Sequence, residues 1–288
     1  MRVDRFLWAA ATLMMLVGCS APPPTGSAGP TVQTPASPGA PQPPSAPPPL
    51  SGELTVFAAS SLTEAFDEIA AAFQAANPQA RVVLNFGGSP QLRTQIEQGA
   101  FADVFASANI EQMDLAVKNG VISGTPVPFA SNKLVVVTPK DNPGKIQSLN
   151  DLARPNLKIV LAQKDVPVGA YARDSIARMA ADPTFGSSFA DGVGRNIVSE
   201  EPNVRQVLAK VQLGEADAAV VYATDLTPQT AGSVKQIPIP DRFNVIALYP
   251  IAQVRESKRA DLAQAFITFV AGPSGQAILK KWGFPAAP

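Results

Sequence analysis

Thr55-Val56-Phe57-Ala58-Ala59-Ser60-Ser61-Leu62-Thr63-Glu64-Ala65-Phe66 carries the reading of the fold. The apolar run 54–58 reads as a buried strand. It breaks into small residues and a hydroxyl pair, and a helical pattern then starts with Leu62, Phe66, Ile69, Ala70 and Phe73. Strand, tight turn and helix therefore follow one another directly, with Ser60 or Ser61 at the helix N-cap. Unpaired backbone N–H groups and the positive end of the helix dipole make such a turn an anion site. A lone serine there is most often only a cap. Here the device recurs.

Beyond this stretch, strands and helices alternate to the end of the chain, which implies parallel sheets in an α/β fold. A strand is expected at 81–86, followed by Gly87-Gly88-Ser89-Pro90 and a helix at 91–98, with Ser89 as N-cap and Pro90 in the first turn. Residues 102–106 read as a strand and 110–118 as a helix. A proline-punctuated segment then leads to the β-branched run 134–138, a crossing into a second domain. The logic repeats there. A strand at 157–162 meets the turn Asp165-Val166-Pro167-Val168-Gly169 and a helix at 170–180. A strand at 195–199 meets Glu200-Glu201-Pro202-Asn203 and a helix at 204–213. The strand 216–222 is very apolar, and Thr224-Asp225 is expected to open another helix. Strands at 234–239 and 245–254 follow, the latter returning the chain to the first domain. Helices at 262–270 and 274–282 close the molecule.

The N-terminus is of another kind. Arg2 and Arg5 precede an apolar stretch, 6–17, too short for a permanent membrane span, so residues 1–18 read as an export signal. It ends in Leu16-Val17-Gly18-Cys19, which resembles the lipobox of bacterial lipoproteins; the resemblance implies cleavage before Cys19 and lipid modification of that residue. Cys19 is the only cysteine, so the chain has no internal disulfide. The 33 residues 20–52 carry no charge and are dominated by Pro, Ala, Ser, Gly and Thr. That composition cannot bury enough apolar surface to fold, and 19–52 is read as a disordered tether with a reach of up to about 100 Å.

Composition excludes several classes of function. Lys+Arg and Asp+Glu balance at 23 each, so there is no basic footprint for nucleic acid. The chain has no histidine, which removes Ser-His-Asp and Cys-His catalysis and most zinc sites. Neither a P-loop nor a GxGxxG fingerprint is present. The adjacent carboxylates Glu200-Glu201 read as a solvated turn. What remains is the set of strand-to-helix turns at Ser60/Ser61, Ser89, Val168/Gly169 and Asn203/Val204. In open α/β sheets these turns lie where ligands bind. Two domains facing each other would bring several helix N-termini to one cleft, with no cation in the turns except Arg93 and Arg205 just inside the following helices. Hydroxyls and backbone N–H groups can hold a dianion without a formal positive charge.

From residue 54 onward the chain resembles the periplasmic molybdate-binding proteins of ABC uptake systems. The matching stretches are Phe57-Ala58-Ala59-Ser60-Ser61-Leu62-Thr63, Asn85-Phe86-Gly87-Gly88-Ser89 and the run from Gln95 to Ala108. Asn132-Lys133-Leu134-Val135-Val136-Val137, Val166-Pro167-Val168-Gly169-Ala170-Tyr171-Ala172 and Val220-Val221-Tyr222-Ala223-Thr224-Asp225 continue it. Gly272-Pro273-Ser274-Gly275 and Trp282-Gly283-Phe284 complete it in family order. The sequence departs from the commoner pattern at Gly87-Gly88 and Pro90, where small hydroxyl residues are frequent. The resemblance implies a two-lobed type II periplasmic-binding-protein fold, each lobe a mainly parallel sheet flanked by helices with the ligand between them. Lobe I would be 53–131 plus 251–288, and lobe II 132–250. It implies oxyanion contacts from the hydroxyls of Ser61, Ser89 and Tyr222 and from the backbone N–H groups of Val168 and Val204. Ser60 would only support its turn, and Asp103 and Asp225 would cap helices or pair with cations. It further implies a molybdate or tungstate ligand, an ABC permease as partner, no catalysis, no cofactor and no metal site beyond the oxyanion. A monomer held outside the cytoplasmic membrane by its lipid is expected. Sulfate or another tetrahedral oxyanion is the alternative ligand, and a lipid-anchored enzyme on the same fold the alternative class.

Overall fold

The computed structural model describes residues 49–288. The expected export signal 1–18, Cys19 and the tether as far as residue 48 lie outside the described residues.

β1 (Gly52–Ala59) runs through a 3-10 turn, Ser60–Leu62, into α1 (Thr63–Ala76). α1 buries Ala65, Phe66, Ile69, Ala70 and Phe73, one stripe at helical spacing. β2 (Ala80–Gly87), α2 (Ser89–Glu97), β3 (Val104–Ala106) and α3 (Ile110–Lys118) follow. Helical crossovers leave β1, β2 and β3 parallel. β4 (Ile122–Asn132) then leads toward a second sheet, and β10 (Ala247–Val254) comes back. Both run antiparallel to their neighbours, giving the first sheet the order β2-β1-β3-β10-β4. α7 (Ala260–Ala271) and α8 (Pro273–Lys281) return to α1. The rings of Phe66 and Phe73 meet Phe266 of α7 edge-on at 6.2 and 5.3 Å.

The second sheet, β7-β6-β8-β5-β9, repeats the plan. It is built from β5 (Leu134–Pro139), β6 (Ile159–Ala162), β7 (Ile197–Glu201), β8 (Ala218–Tyr222) and β9 (Val234–Pro238). α4 (Pro167–Ala180), α5 (Phe189–Asn196) and α6 (Val204–Gln212) flank it. Each sheet is mixed rather than mainly parallel, because one strand in each, β10 in the first and β5 in the second, runs against the other four. Asn244 fastens the crossing: its Oδ1 accepts the Leu134 N–H at 3.0 Å and its Nδ2 donates to the Leu134 carbonyl at 2.9 Å.

Three local features differ from the sequence reading. β4 is an eleven-residue strand through Pro126 and Pro128, which read as breaks. It lies on the sheet edge, where proline's missing donor is tolerated. α5 was hidden by Gly192 and Gly194; a Cβ on Gly192 would meet the Ala153 carbonyl at 2.8 Å, so that glycine serves close packing. Thr224-Asp225 opens only a 3-10 turn, Ala223–Asp225, closed by the Asp225 carboxylate accepting the Tyr222 N–H at 2.9 Å.

Candidate functional site

The turns after β1, β2, β6 and β7 and the end of β8 face one cavity between the sheets. Ser60, Ser61, Gly88, Ser89 and Ala108 line it from one side, and Val166, Pro167, Val168, Asn203, Val204 and Tyr222 from the other. All five residues assigned to the ligand from the sequence are among them. The cavity is about 10 Å³, the scale of one water-sized sphere. That is far below what a drug- or cofactor-sized ligand needs. Among the described residues, no charged side chain lines it.

Each backbone donor is placed by its helix. Gly88 is the N-cap of α2, so Ser89 and Pro90 are its first two residues. Val166 is the N-cap of α4, with Pro167 first and Val168 second. Asn203 caps α6 by accepting the Gln206 N–H at 3.1 Å, which leaves Val204 first in that helix. First-turn N–H groups have no partner within their own helix. Three helix dipoles and the turn before α1 thus direct their positive ends at one small space.

Neither serine is the plain cap that its sequence position allows. The helix-start residues at Ala59, Leu62 and Gly88 show no side-chain capping bond. Ser61 Oγ instead lies 3.1 Å from Tyr249 Oη. Ser89 Oγ accepts the Ala108 N–H at 3.1 Å, so its own proton is left for another acceptor. Tyr222 is fully buried and its hydroxyl has no hydrogen-bond partner among the described residues. Burial, with the neighbouring Tyr249 next, holds that phenol well above its ordinary pKa, so it stays a neutral O–H donor. A buried phenol without a partner is costly unless a ligand accepts from it.

The nearby charges are spent on each other. Arg93 pairs with Glu97 on α2. Arg205 Nε donates to the Ser60 carbonyl at 3.1 Å, Nη1 donates to Glu64 Oε1 at 2.8 Å and Nη2 to Glu64 Oε2. Asp225 Oδ1 is 3.6 Å from Arg205 Nε. Asp103 accepts from the Thr55 N–H at 2.8 Å and the Ser257 hydroxyl at 2.6 Å, which makes it a strut of the first sheet. Glu200 and Glu201 end β7 rather than forming the turn; Glu200 pairs with Arg173 and Glu201 accepts from Ser199 Oγ. Among the described residues, no cluster of three or more acidic side chains could hold a metal ion. Tyr249 had no local signal in the sequence: it sits in the apolar run of β10, 188 residues from its serine partner.

The chain and its fold are similar to those of known proteins. The profile of the bacterial extracellular solute-binding proteins covers residues 54–285. The molybdate-binding protein ModA of Mycobacterium tuberculosis H37Rv is 41% identical over 231 residues, covering 80% of this chain and 84% of that protein. The Escherichia coli K12 molybdate-binding protein ModA is 32% identical over 240 residues, 81% of this chain and 89% of that one. Among solved structures, the Azotobacter vinelandii periplasmic molybdate-binding protein superposes with a TM-score of 0.69 over 82% of this chain and all of its own, at 21% identity. Two mixed sheets flanked by helices are therefore a known architecture. The chain belongs to the bacterial extracellular solute-binding proteins.

Proposed function

We propose that this protein captures molybdate, and with it tungstate, outside the cytoplasmic membrane and delivers it to an ABC permease. One observation carries the reading. Four hydroxyl residues, Ser60, Ser61, Ser89 and Tyr222, line a cavity that has no charged side chain among the described residues, and the Tyr222 hydroxyl is buried there with no hydrogen-bond partner among them. Such a site favours a small anion whose oxygens only accept. Ser61, Ser89 and Tyr222 would each donate an O–H, and Val168 and Val204 a backbone N–H. The relatives named as molybdate-binding proteins support that anion within its class. Size separates it from sulfate, since both are tetrahedral dianions that the donors cannot tell apart by charge. Phosphate, protonated near neutral pH, needs an acceptor that these five residues do not supply. Among the described residues the lining holds no histidine, cysteine or carboxylate, which supports binding rather than catalysis as the role.

The lobes would be 53–131 plus the C-terminal strand and helices, and 132 to about 246. β10 lies in the first sheet from Ala247, which supports a second crossing a few residues before the 250/251 boundary expected from the sequence. Closure by hinge motion at these crossings would seal the ligand. Lipidation at Cys19 would anchor a monomeric protein to the membrane through the 19–52 tether.

Calorimetric titration of the purified protein with molybdate, tungstate, sulfate and phosphate tests the reading. One-to-one binding of the first two with much weaker sulfate is expected. Tyr222→Phe removes one hydrogen bond to a charged ligand and should weaken molybdate binding at least tenfold. Equal or preferred sulfate binding would overturn the named ligand. No heat and no thermal shift with any of the four would overturn the binding role.

A further inference from the structure

Tyr249 on β10 is fully buried and lies behind Ser61, not on the cavity. Its hydroxyl accepts from Asn132 Nδ2 at 3.3 Å and lies 3.1 Å from Ser61 Oγ. The Asn132 amide has only one consistent orientation. Its Oδ1 accepts the Lys133 N–H at 2.9 Å, so its nitrogen faces Tyr249 Oη and Thr224 Oγ1, the latter at 2.7 Å. The flipped amide would set two donors against each other. Burial raises the Tyr249 pKa, so this phenol keeps its proton. With Asn132 donating to the phenol oxygen, the Tyr249 O–H is directed to its other partner, Ser61 Oγ. A serine that accepts there has its own O–H free, and Ser61 lines the cavity.

We infer that Tyr249, itself aligned by Asn132, is a positioning residue that fixes Ser61 as a hydrogen-bond donor to the ligand. The inference rests on the oxyanion reading above and extends it to selectivity. Ser89 is held the same way by the Ala108 N–H, so both serines are locked as donors. An anion bearing a proton on the oxygen facing Ser61 would meet a second donor, O–H against O–H. The relay also joins the site to the chain crossing. Asn132 ends β4 and pairs with Ala247 of β10, and Thr224 follows β8 of the second sheet. The direction of one serine proton is thus set by groups from both sheets.

A double-mutant cycle tests this on the purified protein, with molybdate and hydrogen phosphate as probes. Tyr249→Phe deletes one oxygen and keeps the ring, and should weaken molybdate binding roughly tenfold. In a Ser61→Ala background the same substitution should cost less than about twofold, because its effect passes through the missing hydroxyl. Freed to rotate, Ser61 can accept from a protonated anion, so the preference for molybdate over hydrogen phosphate should narrow in Tyr249→Phe by more than about threefold. Asn132→Ala, which removes the group that orients the phenol, should give the same pattern should Tyr249→Phe fail to fold. Equal losses with and without the Ser61 hydroxyl, or an unchanged preference, would overturn the positioning role. No binding of molybdate by the unaltered protein would overturn the functional reading, and this inference with it, before any variant is compared.

Discussion

Gly88→Ala is expected to lower ligand affinity at least a hundredfold while the ligand-free protein melts near its ordinary temperature. The backbone at Gly88, φ −69° and ψ 138°, is one any residue adopts, so alanine carries no local strain. The reason for glycine is non-local. A Cβ there would sit 2.2 Å from the carbonyl oxygen of Pro202. Gly88 belongs to the turn before α2 of the first sheet, and Pro202 to the turn before α6 of the second. The methyl is fixed directly to Cα and the carbonyl is main chain, so neither can swing aside. The clash is relieved only if the two turns part by on the order of 1 Å. A donor at ideal distance on one side would then fall outside hydrogen-bonding range of a ligand held by the other. Two or three bonds to a charged ligand are lost together, each contributing about 1.5–3 kcal/mol. The small hydroxyl residues commoner in the resembled family at this dipeptide would require the same wider gap here. Gly87→Ala is the internal control: its Cβ would meet only side-chain atoms, Leu92 Cδ2 at 3.1 Å, Leu92 Cγ at 3.3 Å and Gln91 Oε1 at 3.5 Å, and affinity should change little. Calorimetry on both variants, with melting curves in the absence of ligand, makes the comparison. Gly88→Ala binding as tightly as the unaltered protein would sink the account of the cavity as closed by contact between these turns.

The same contrast explains what was legible in the sequence. The strand-turn-helix succession at Ser60-Ser61 is local, and an apolar run followed by a helical stripe specifies it without the rest of the chain. The five residues that meet at the cavity each lie at a strand-to-helix turn or strand end; Ser61, Ser89, Val168 and Tyr222 also fall in the quoted family stretches, and Val204 is placed by its position at the start of a helix before Arg205. What escaped is non-local. Tyr249 looks like any core aromatic until Ser61 is folded against it. Gly88 looks like a flexible turn until Pro202 arrives. β4 looks like a broken loop because proline is a liability in most strands, and only its place at a sheet edge makes it acceptable. The serines erred in the other direction. Their positions suit capping, but a 3-10 turn before α1, and Gly88 as the N-cap of α2, leave their hydroxyls for other partners.

Arg205→Met should destabilise the protein by about 3 kcal/mol and move the pH dependence of its stability upward. A cation in the first turn of α6 opposes the helix dipole, so compensation is required. Glu64 in the first turn of α1 supplies it across the cleft, with the Ser60 carbonyl and Asp225. Methionine keeps the apolar stem and removes the guanidinium. Asp225, with no exposed surface and one oxygen lacking a hydrogen bond, is then left without its cation. Removing one partner of a buried pair costs about 3–5 kcal/mol, and the quarter exposure of the Arg205 side chain places this case at the lower end. Burial already pushes the Asp225 carboxyl up to about 6, against the pull of Arg205 and the Tyr222 N–H. The folded protein therefore binds this proton more tightly than the unfolded chain does. The stability it contributes is full below the unfolded value of 3.8 and is lost as pH rises through about 6. The difference is on the order of 3 kcal/mol. Urea midpoints between pH 4 and 8, compared with Asp225→Asn, isolate that slope from the other carboxylates. Asparagine can still accept the Tyr222 N–H, so the variant should fold and show a flatter profile. Arg205→Met should shift the falling limb above pH 6, because the guanidinium that holds the carboxyl down is gone. Parallel profiles for Asp225→Asn and the unaltered protein would show that this carboxylate does not titrate in the window, and that its desolvation is met by groups other than Arg205.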